Sequence, residues 1–331
     1  MAENISSKTQ KARVDWRPSE ALTPDPIFVW PPQPVNFLKW LLSFDGYIIP
    51  WNAFYFGLAT VTWLYLTPDL SRMATLRLDW IAEIYIRNLA LLTVFAGLLH
   101  LRLYTFKGQG DKHKYTPQWP ARTDKTFLFK RQVFDNMFWS LVSGCTVWSA
   151  YDILMMWSYA NHLLPYVDWT QKPIYCVFLL LVIPVWSVFH FYWTHRFIHW
   201  KPIYERVHYL HHKNVNVGPW SGLAMHPVEH VIYFSSLLIH FVIPSHPLHV
   251  LFHLQQIGLN PMHGHSGFDE FVVAGNRTIP NHNYFHFLHH RYHTVNFGDG
   301  LVPLDKWFGS FHDGTDEAHA AMRKKPSRKP T

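Results

Sequence analysis

Twenty of the 24 histidines fall between His195 and His319. Three groups in that stretch have a spacing that could hold metal: His195-Arg-Phe-Ile-His199, His208-Tyr-Leu-His211-His212 and His286-Phe-Leu-His289-His290. Residues three and four apart share one face of a helix. An H-x3-H pair can therefore grip one ion, and in H-x2-H-H a third imidazole can turn to a neighbouring ion. Eight imidazoles are too many for one ion and suit two. Imidazole serves iron, copper, zinc or nickel. A closed structural zinc site is tetrahedral and often uses Cys, but Cys145 and Cys176 both lie inside apolar runs, away from these groups. They read as small buried side chains and imply no disulfide framework. One H-x3-H pair arises easily in a His-rich chain as a surface or core pair. Three such groups in order after an apolar run do not.

The elements that must position them are read from apolar runs. Residues 46–68 contain no Asp, Glu, Lys or Arg, and about 20 apolar residues cross a bilayer as helix. Further spans are expected at 84–104, 136–160 and 173–194. The second holds Arg87, one helical turn after Glu83, so the two are expected to pair. The third holds Asp152. Beyond Glu229, Pro244, Pro247 and Pro261 divide a long uncharged stretch into two apolar pieces, about 231–242 and 248–259. Each is too short to span, so a re-entrant helical hairpin is expected. The fold class is therefore all-α: a polytopic membrane helical bundle of about four spans plus the hairpin, with a helical cap over the dimetal site. The expected organisation is a flexible tail over 1–35, spans and a basic loop over 36–187, a catalytic region over 188–314 and a basic C-terminal tail over 315–331.

Composition agrees with a membrane chain. Apolar residues reach 49% and charged residues 15% of 331, against about 25% charged in soluble domains. Aromatic residues reach 17%, and Trp and Tyr favour the membrane–water interface. The net charge is +7, carried in loops between apolar runs, which suits an anionic inner leaflet better than nucleic acid. Lys107, Lys112, Lys114, Arg122, Lys125, Lys130 and Arg131 lie between spans two and three, while Lys172 is the single Lys or Arg between spans three and four. Both tails and the metal site are thus expected on the cytoplasmic side.

Around the three groups the chain resembles a known family, the fatty acid hydroxylase/sterol desaturase superfamily of membrane di-iron oxygenases. Tyr192-Trp193-Thr194-His195-Arg196-Phe197-Ile198-His199 is similar to its Y-W-x-H-R-x-x-H element, and His208-Tyr-Leu-His211-His212-Lys213 to its H-x-x-H-H-K. Ala224-Met225-His226-Pro227-Val228-Glu229, His265-Ser266-Gly267-Phe268-Asp269, His286-Phe-Leu-His289-His290 and the closing Leu304-Asp305-Lys306-Trp307-Phe308-Gly309-Ser310 follow in the family's order. Ser187-Val188 stand where many members carry an acid, and Leu304 stands for the closing Trp. His230, His263, His282 and His293 are additions to the pattern.

The resemblance implies two iron ions held by the eight motif histidines, with His265 and His226 as further ligands and O2 as co-substrate. Zinc can replace iron in such a site. Glu229, Asp269, His263, His282 and His293 are expected just behind the ligands, where a carboxylate or ring orients a metal-bound imidazole. The implied reaction takes a C–H bond of a lipid or sterol from the bilayer to an alcohol or to a double bond; both outcomes stay open. Electrons must come from an external cytochrome b5-like, ferredoxin or flavoprotein donor, since His226-Pro227 continues as Val-Glu and not as the Gly-Gly of a haem-binding b5 motif. Two other readings are a carotenoid-type hydroxylase or ketolase, and a non-catalytic membrane metal-binding or transport protein. The last requires ionisable residues repeated through the spans.

Overall fold

In the computed structural model, residues 15–275 and 277–324 are described. The apolar runs become helices whose ends follow the prolines and loop charges. α1 (Pro34–Leu42) starts on a proline, where no helical N–H is needed. α2 (Ala53–Tyr65) and α3 (Leu78–His100) follow, α3 continuing through one wider turn to Thr105. α4 (Gln132–Phe138), a wider-turn segment Trp139–Gly144 and α5 (Cys145–Ala160) run on without a break. α6 (Pro173–Ile198) carries the first histidine pair at its end. The short α7 (Lys201–Ile203) and α8 (Tyr209–His212) turn the chain back. α9 (Pro227–Phe234), a 3-10 segment Ser235–Phe241 and α10 (Pro247–Gly264) form the hairpin. Beyond it lie β1 (Glu270–Ala274), β2 (Arg277–Pro280), α11 (Tyr284–Tyr292), α12 (Leu304–Trp307) and α13 (Asp316–Lys324).

The molecule is mostly helical but not all-α. β1 and β2 pair antiparallel, with Phe271 opposite Ile279. Phe271, Val272 and Val273 form the middle of β1 and Thr278 and Ile279 that of β2, and Gly275 turns between them at φ +57°.

α10 is the central post. It packs against α2, α3, α5 and α6, and all its residues are buried except Gln256 and Asn260. The second hairpin arm is therefore longer than expected, because Pro261 lies inside the helix instead of ending it. A proline leaves the carbonyl four residues earlier without its N–H partner. Here that carbonyl, on Ile257, accepts the Tyr233 hydroxyl at 2.8 Å. Gly222 lets its loop lie against this bend: a Cβ there would sit 2.2 Å from the Pro261 carbonyl oxygen.

Among the described residues two helices, Leu78–Thr105 and Pro173–Ile198, are long and apolar enough to cross a membrane. Their outward faces carry exposed Ile86, Val94, Leu98, Ile174, Val177 and Phe178, an unfavourable surface in water and a natural one in lipid. Arg87 does not pair with Glu83. It points inward to Asp152 of α5, with Asn88 also bonding that carboxylate at 3.1 Å, while Glu83 faces Arg72 at 2.8 Å. Both members of the inner pair are buried, so each compensates the other's lost hydration.

The expected flexible tail is a tail only in part. Residues 1–14 lie outside the described residues. From 15 on the chain packs against the histidine-bearing region: Trp16 N–H donates to the Tyr115 carbonyl at 3.0 Å, Leu22 N–H to that of Asp313 at 3.0 Å, and the Trp16 ring rests on Tyr115 and Tyr284. At the other end 316–324 is helical, and 325–331 lie outside the described residues.

Candidate metal centre

The helix ends bring nine histidines into two adjoining groups. His195, His199, His208, His212 and His289 form one, and His211, His265, His286 and His290 the other. Within each group the ligand-bearing atoms lie within 4.8 Å of one another. The two H-x2-H-H motifs split in complementary ways. His208 and His212, four apart on α8 and the turn before it, face the first group while His211 turns to the second. On α11, His286 and His290 face the second group and His289 turns to the first. The groups share a wall, with His212 and His290 ring centres 4.9 Å apart.

Each supporting element is tied down by polar contacts. α8 is held by Asn214, whose Oδ1 accepts from Gln132 and Asn136 of α4 at 3.0 and 2.9 Å. The loop after α11 is held by Asp305, which accepts from the backbone N–H of Phe297 and Gly298 and from the Ser310 hydroxyl at 2.8, 2.7 and 2.6 Å. That loop presents the carbonyls that orient two histidines. His195 Nδ1 lies 2.6 Å from the Phe297 oxygen and His289 Nδ1 2.7 Å from the Val295 oxygen. His208 Nδ1 meets Glu229 Oε1 at 2.7 Å, and His265 Nδ1 meets the Pro261 oxygen at 3.0 Å.

These contacts decide the tautomers. A carbonyl accepts and does not donate, so Nδ1 of His195, His289 and His265 carries the proton; Glu229, whose carboxyl burial pushes well above its usual range, asks the same of His208 when ionised. Their Nε2 atoms then present bare lone pairs inward. Yet His195 Nε2 is 3.0 Å from His208 Nε2, and His199 Nε2 is 3.0 Å from His289 Nε2 and 3.1 Å from His208 Nε2. In the second group His265 Nε2 is 2.9 Å from His290 Nε2. Where both atoms are bare, as at His195 and His208 beside an ionised Glu229, lone pairs at this range repel, and a shared cation turns the repulsion into ligation. The residues present therefore fit a metal in each group. Burial, reinforced by the neighbouring imidazoles, holds His208, His211, His212, His286, His289 and His290 well below the usual histidine range. They are neutral at physiological pH, the form that binds metal.

The remaining expected residues occupy several places. His226 is in neither group: half-buried at the start of α9, it accepts the Val228 N–H at 3.2 Å and caps that helix. Pro227 at the first helical position sets it there, facing the helix start. Glu229 touches His208 directly. His293 lies against the first group, its ring 4.5 Å from His212 and its Nδ1 3.1 Å from the Tyr204 hydroxyl. His263 stacks on Trp51 at 3.8 Å and bonds Asn281 at 2.6 Å, outside both groups. Asp269 accepts the Tyr115 hydroxyl at 3.1 Å and faces His282, which also bonds Asp45 at 2.7 Å. These three tie the region to the N-terminal segment, and their side chains bond no member of either group.

A cavity opens on the histidines. Phe191, Ile198, Ile232 and Ile257 give it apolar walls, and His195, His208, His211, His265 and His286 form its metal end. Gln256, Asn260 and Asp299 line this cavity and also a second, outer one that includes Asp25, Asp45 and Asp305. Neither has a Lys or Arg in its lining among the described residues. These three polar residues are absent from the histidine motifs. The one available signal for two of them was a Gln and an Asn four apart in an otherwise apolar run.

Comparison with known proteins agrees with this geometry. The family model for fatty acid hydroxylase matches residues 179–310. The chain is 32% identical over 142 residues to a Delta(7)-sterol 5(6)-desaturase of Gibberella zeae, covering 40% of this chain and 42% of that one. It is 29% identical over 128 residues to the Delta(7)-sterol 5(6)-desaturase of Candida glabrata, covering 38% and 34%. It is 27% identical over 160 residues to the Delta(7)-sterol-C5(6)-desaturase of Nicotiana tabacum, covering 46% and 54%. The chain thus spans about half, or less, of the length of these relatives. No solved structure matches. The matched segment carries both histidine groups and the six motif elements in the order of the fatty acid hydroxylase/sterol desaturase superfamily.

Proposed function

We propose that this protein is an O2-dependent di-iron membrane oxygenase that hydroxylates or desaturates a C–H bond of an uncharged lipid, with a sterol or a similar hydroxyl-bearing molecule as the best fit. The supporting observation is the pair of adjoining histidine groups at the end of an apolar cavity. His195, His199, His208, His212 and His289 would hold one ion, and His211, His265, His286 and His290 the other. When bound, such a centre supplies the redox chemistry that lets O2 act on an unactivated C–H bond.

The chain's own residues do the rest. Asp305 and Glu229 fix the ligand rings, the first through the Phe297 loop and the second by direct contact with His208. Phe191, Ile198, Ile232 and Ile257 exclude water and hold the apolar body of the substrate. Gln256, Asn260 and Asp299 offer donors and acceptors to a polar end. Without a Lys or Arg in the inner cavity, a carboxylate or phosphate there would be buried unpaired beside Asp299, at a cost of several kcal/mol. An uncharged hydroxyl meets no such penalty.

The remaining features are part of the same proposal. In this reading four spans, with the hairpin packed among them, leave the histidine region and the basic loop on the cytoplasmic side. Lys107, Arg122 and Arg131 there offer a docking surface for an acidic cytochrome b5-like, ferredoxin or flavoprotein donor. The catalytic region covers 188–314. Metal analysis of the purified chain is expected to find about two irons per molecule, with zinc able to take their place in a purified sample. Lipids from cells with and without the gene are expected to differ in a hydroxylated or unsaturated product. Metal scattered over weak sites, or no product with a competent donor, overturns the reading.

A further inference from the structure

We infer that a buried hydrogen-bonded chain, Ser236–His253–His240–Ser245–Tyr159, carries protons between the metal cavity and the opposite end of the bundle. The inference rests on the oxygenase reading and adds a second functional element to it. Each turnover of such an enzyme consumes O2, two electrons from a one-electron donor protein and two protons. Hydroxylation returns one water and desaturation returns two, so the proton demand is the same for both.

The contacts are continuous. Ser236, which lines the cavity, has its hydroxyl 2.7 Å from His253 Nε2. His253 Nδ1 is 3.1 Å from His240 Nε2, and His240 Nδ1 is 2.8 Å from the Ser245 hydroxyl. The Ser245 hydroxyl is 2.7 Å from that of Tyr159. All five residues are buried, and Tyr159 packs beside the exposed Tyr166. The chain starts about midway along the bundle and ends near one end of it. The Ser236 carbonyl accepts the Trp186 indole N–H, about midway along the 26-residue α6. Ser245 is bonded by its backbone to Pro165 and Val167, in the loop that leads into α6.

The polarity of the chain is free to reverse, and this separates it from the other buried histidines. His249 must donate from Nε2 to the Cys176 carbonyl and accept at Nδ1 from the His246 N–H. His230 must donate from Nε2 to the Leu223 carbonyl. Each is locked in one tautomer and serves packing. His240 and His253 bond no carbonyl, N–H or ionised group. Each has one ring nitrogen toward the other ring and one toward a hydroxyl. Hydroxyls and neutral imidazoles both donate and accept. Ser236, His253, His240 and Ser245 can therefore point all their donors toward the cavity, or all away, and the Tyr159 hydroxyl can turn between the Ser245 hydroxyl and the Ser245 carbonyl, 3.1 Å away. Passing one proton along the chain converts the first arrangement into the second. Nearby titratable groups are His190, held to Ser235 at 3.1 Å, and His249. No Asp, Glu, Lys or Arg bonds the chain among the described residues.

The test removes one hydroxyl and leaves the backbone alone. Full-length protein in lipid discs is compared as wild type, Ser245→Ala and Ser245→Thr. In zinc-loaded protein with 15N-labelled histidine, exchange of the His240 and His253 ring protons with D2O is expected to slow at least tenfold in S245A and to recover in S245T. In iron-loaded protein, kcat is expected to fall about tenfold in S245A with KM unchanged and a larger solvent isotope effect, again with recovery in S245T. Exchange and turnover equal to wild type in S245A overturn the proposal. So does a lowered thermal midpoint in S245A with exchange and isotope effect unmoved, since that is a packing role alone. The zinc-loaded measurement needs no oxygenase activity, so failure of the oxygenase reading and failure of the proton path are separately visible.

Discussion

At the scale of single residues, the site depends on which ring nitrogens are fixed by a partner. His265 lies in the second group with Nδ1 held by Pro261, whereas His226 caps α9. Replacing His265 by Ala is expected to lose at least half of the bound metal, and His226→Ala to keep the full complement; metal content per chain on purified protein separates the two. Glu229→Gln preserves shape but weakens the acceptor on His208. A loss of about 10–100-fold in metal affinity is expected, measured by chelator competition. Nine members of the two groups were legible in the sequence because helical spacing or a motif position marked them. Their orienting partners were less so. Phe297, Val295 and Pro261 act through backbone carbonyls, which any residue type supplies, so no side-chain pattern points to them. His226 sat in the right motif but was turned away by the helix that starts beside it.

At the scale of elements, two polar contacts inside apolar helices set how the bundle closes. Arg87 and Asp152 join α3 to α5 while both are buried. Asp152→Ala leaves an unpaired buried cation, with an expected cost of about 3–5 kcal/mol. A combined Arg87→Met, Asp152→Leu variant is expected to recover most of it. Tyr233→Phe deprives the Ile257 carbonyl of its partner at the Pro261 bend, at a cost of about 1 kcal/mol. Thermal midpoints in one detergent rank the three. The apolar runs were readable because hydropathy alone marks them. The inward turn of Arg87 was not, since Glu83 and Asp152 are both plausible partners until α5 is packed beside α3. The length of α10 was also hidden. Proline reads as a helix end, and the hydroxyl that lets this helix continue comes from a residue 28 positions earlier.

At the scale of the whole molecule, charge divides outside from inside. On the outside, His282 joins the N-terminal segment to the histidine region through Asp45 and Asp269. Their hydrogen bonds push it up to about 10, from an ordinary value near 6.5. A raised value means the folded state holds the proton more tightly. The contribution is complete below about 6.5 and disappears as pH rises through 10. Because the pair is half-exposed the slope is shallow, and His282→Gln is expected to flatten it in thermal melts between pH 6.5 and 10. On the inside, the cavity at the histidines contains Asp299 with no Lys or Arg in its lining, while the outer one adds Asp25, Asp45 and Asp305 with His282 as their cationic neighbour, although the chain as a whole carries +7. The inner cavity thus offers an anion no Lys or Arg partner among the described residues. Binding of a hydroxyl-bearing neutral lipid is expected to exceed that of its carboxylate counterpart by at least tenfold, about 1.4 kcal/mol, in a competition assay on the zinc-loaded protein. Asn260→Lys places a cation between the two cavities and is expected to narrow or invert that ratio. An unchanged preference would mean that the polar end of the substrate lies elsewhere, and Gln256, Asn260 and Asp299 would then have no part in choosing it.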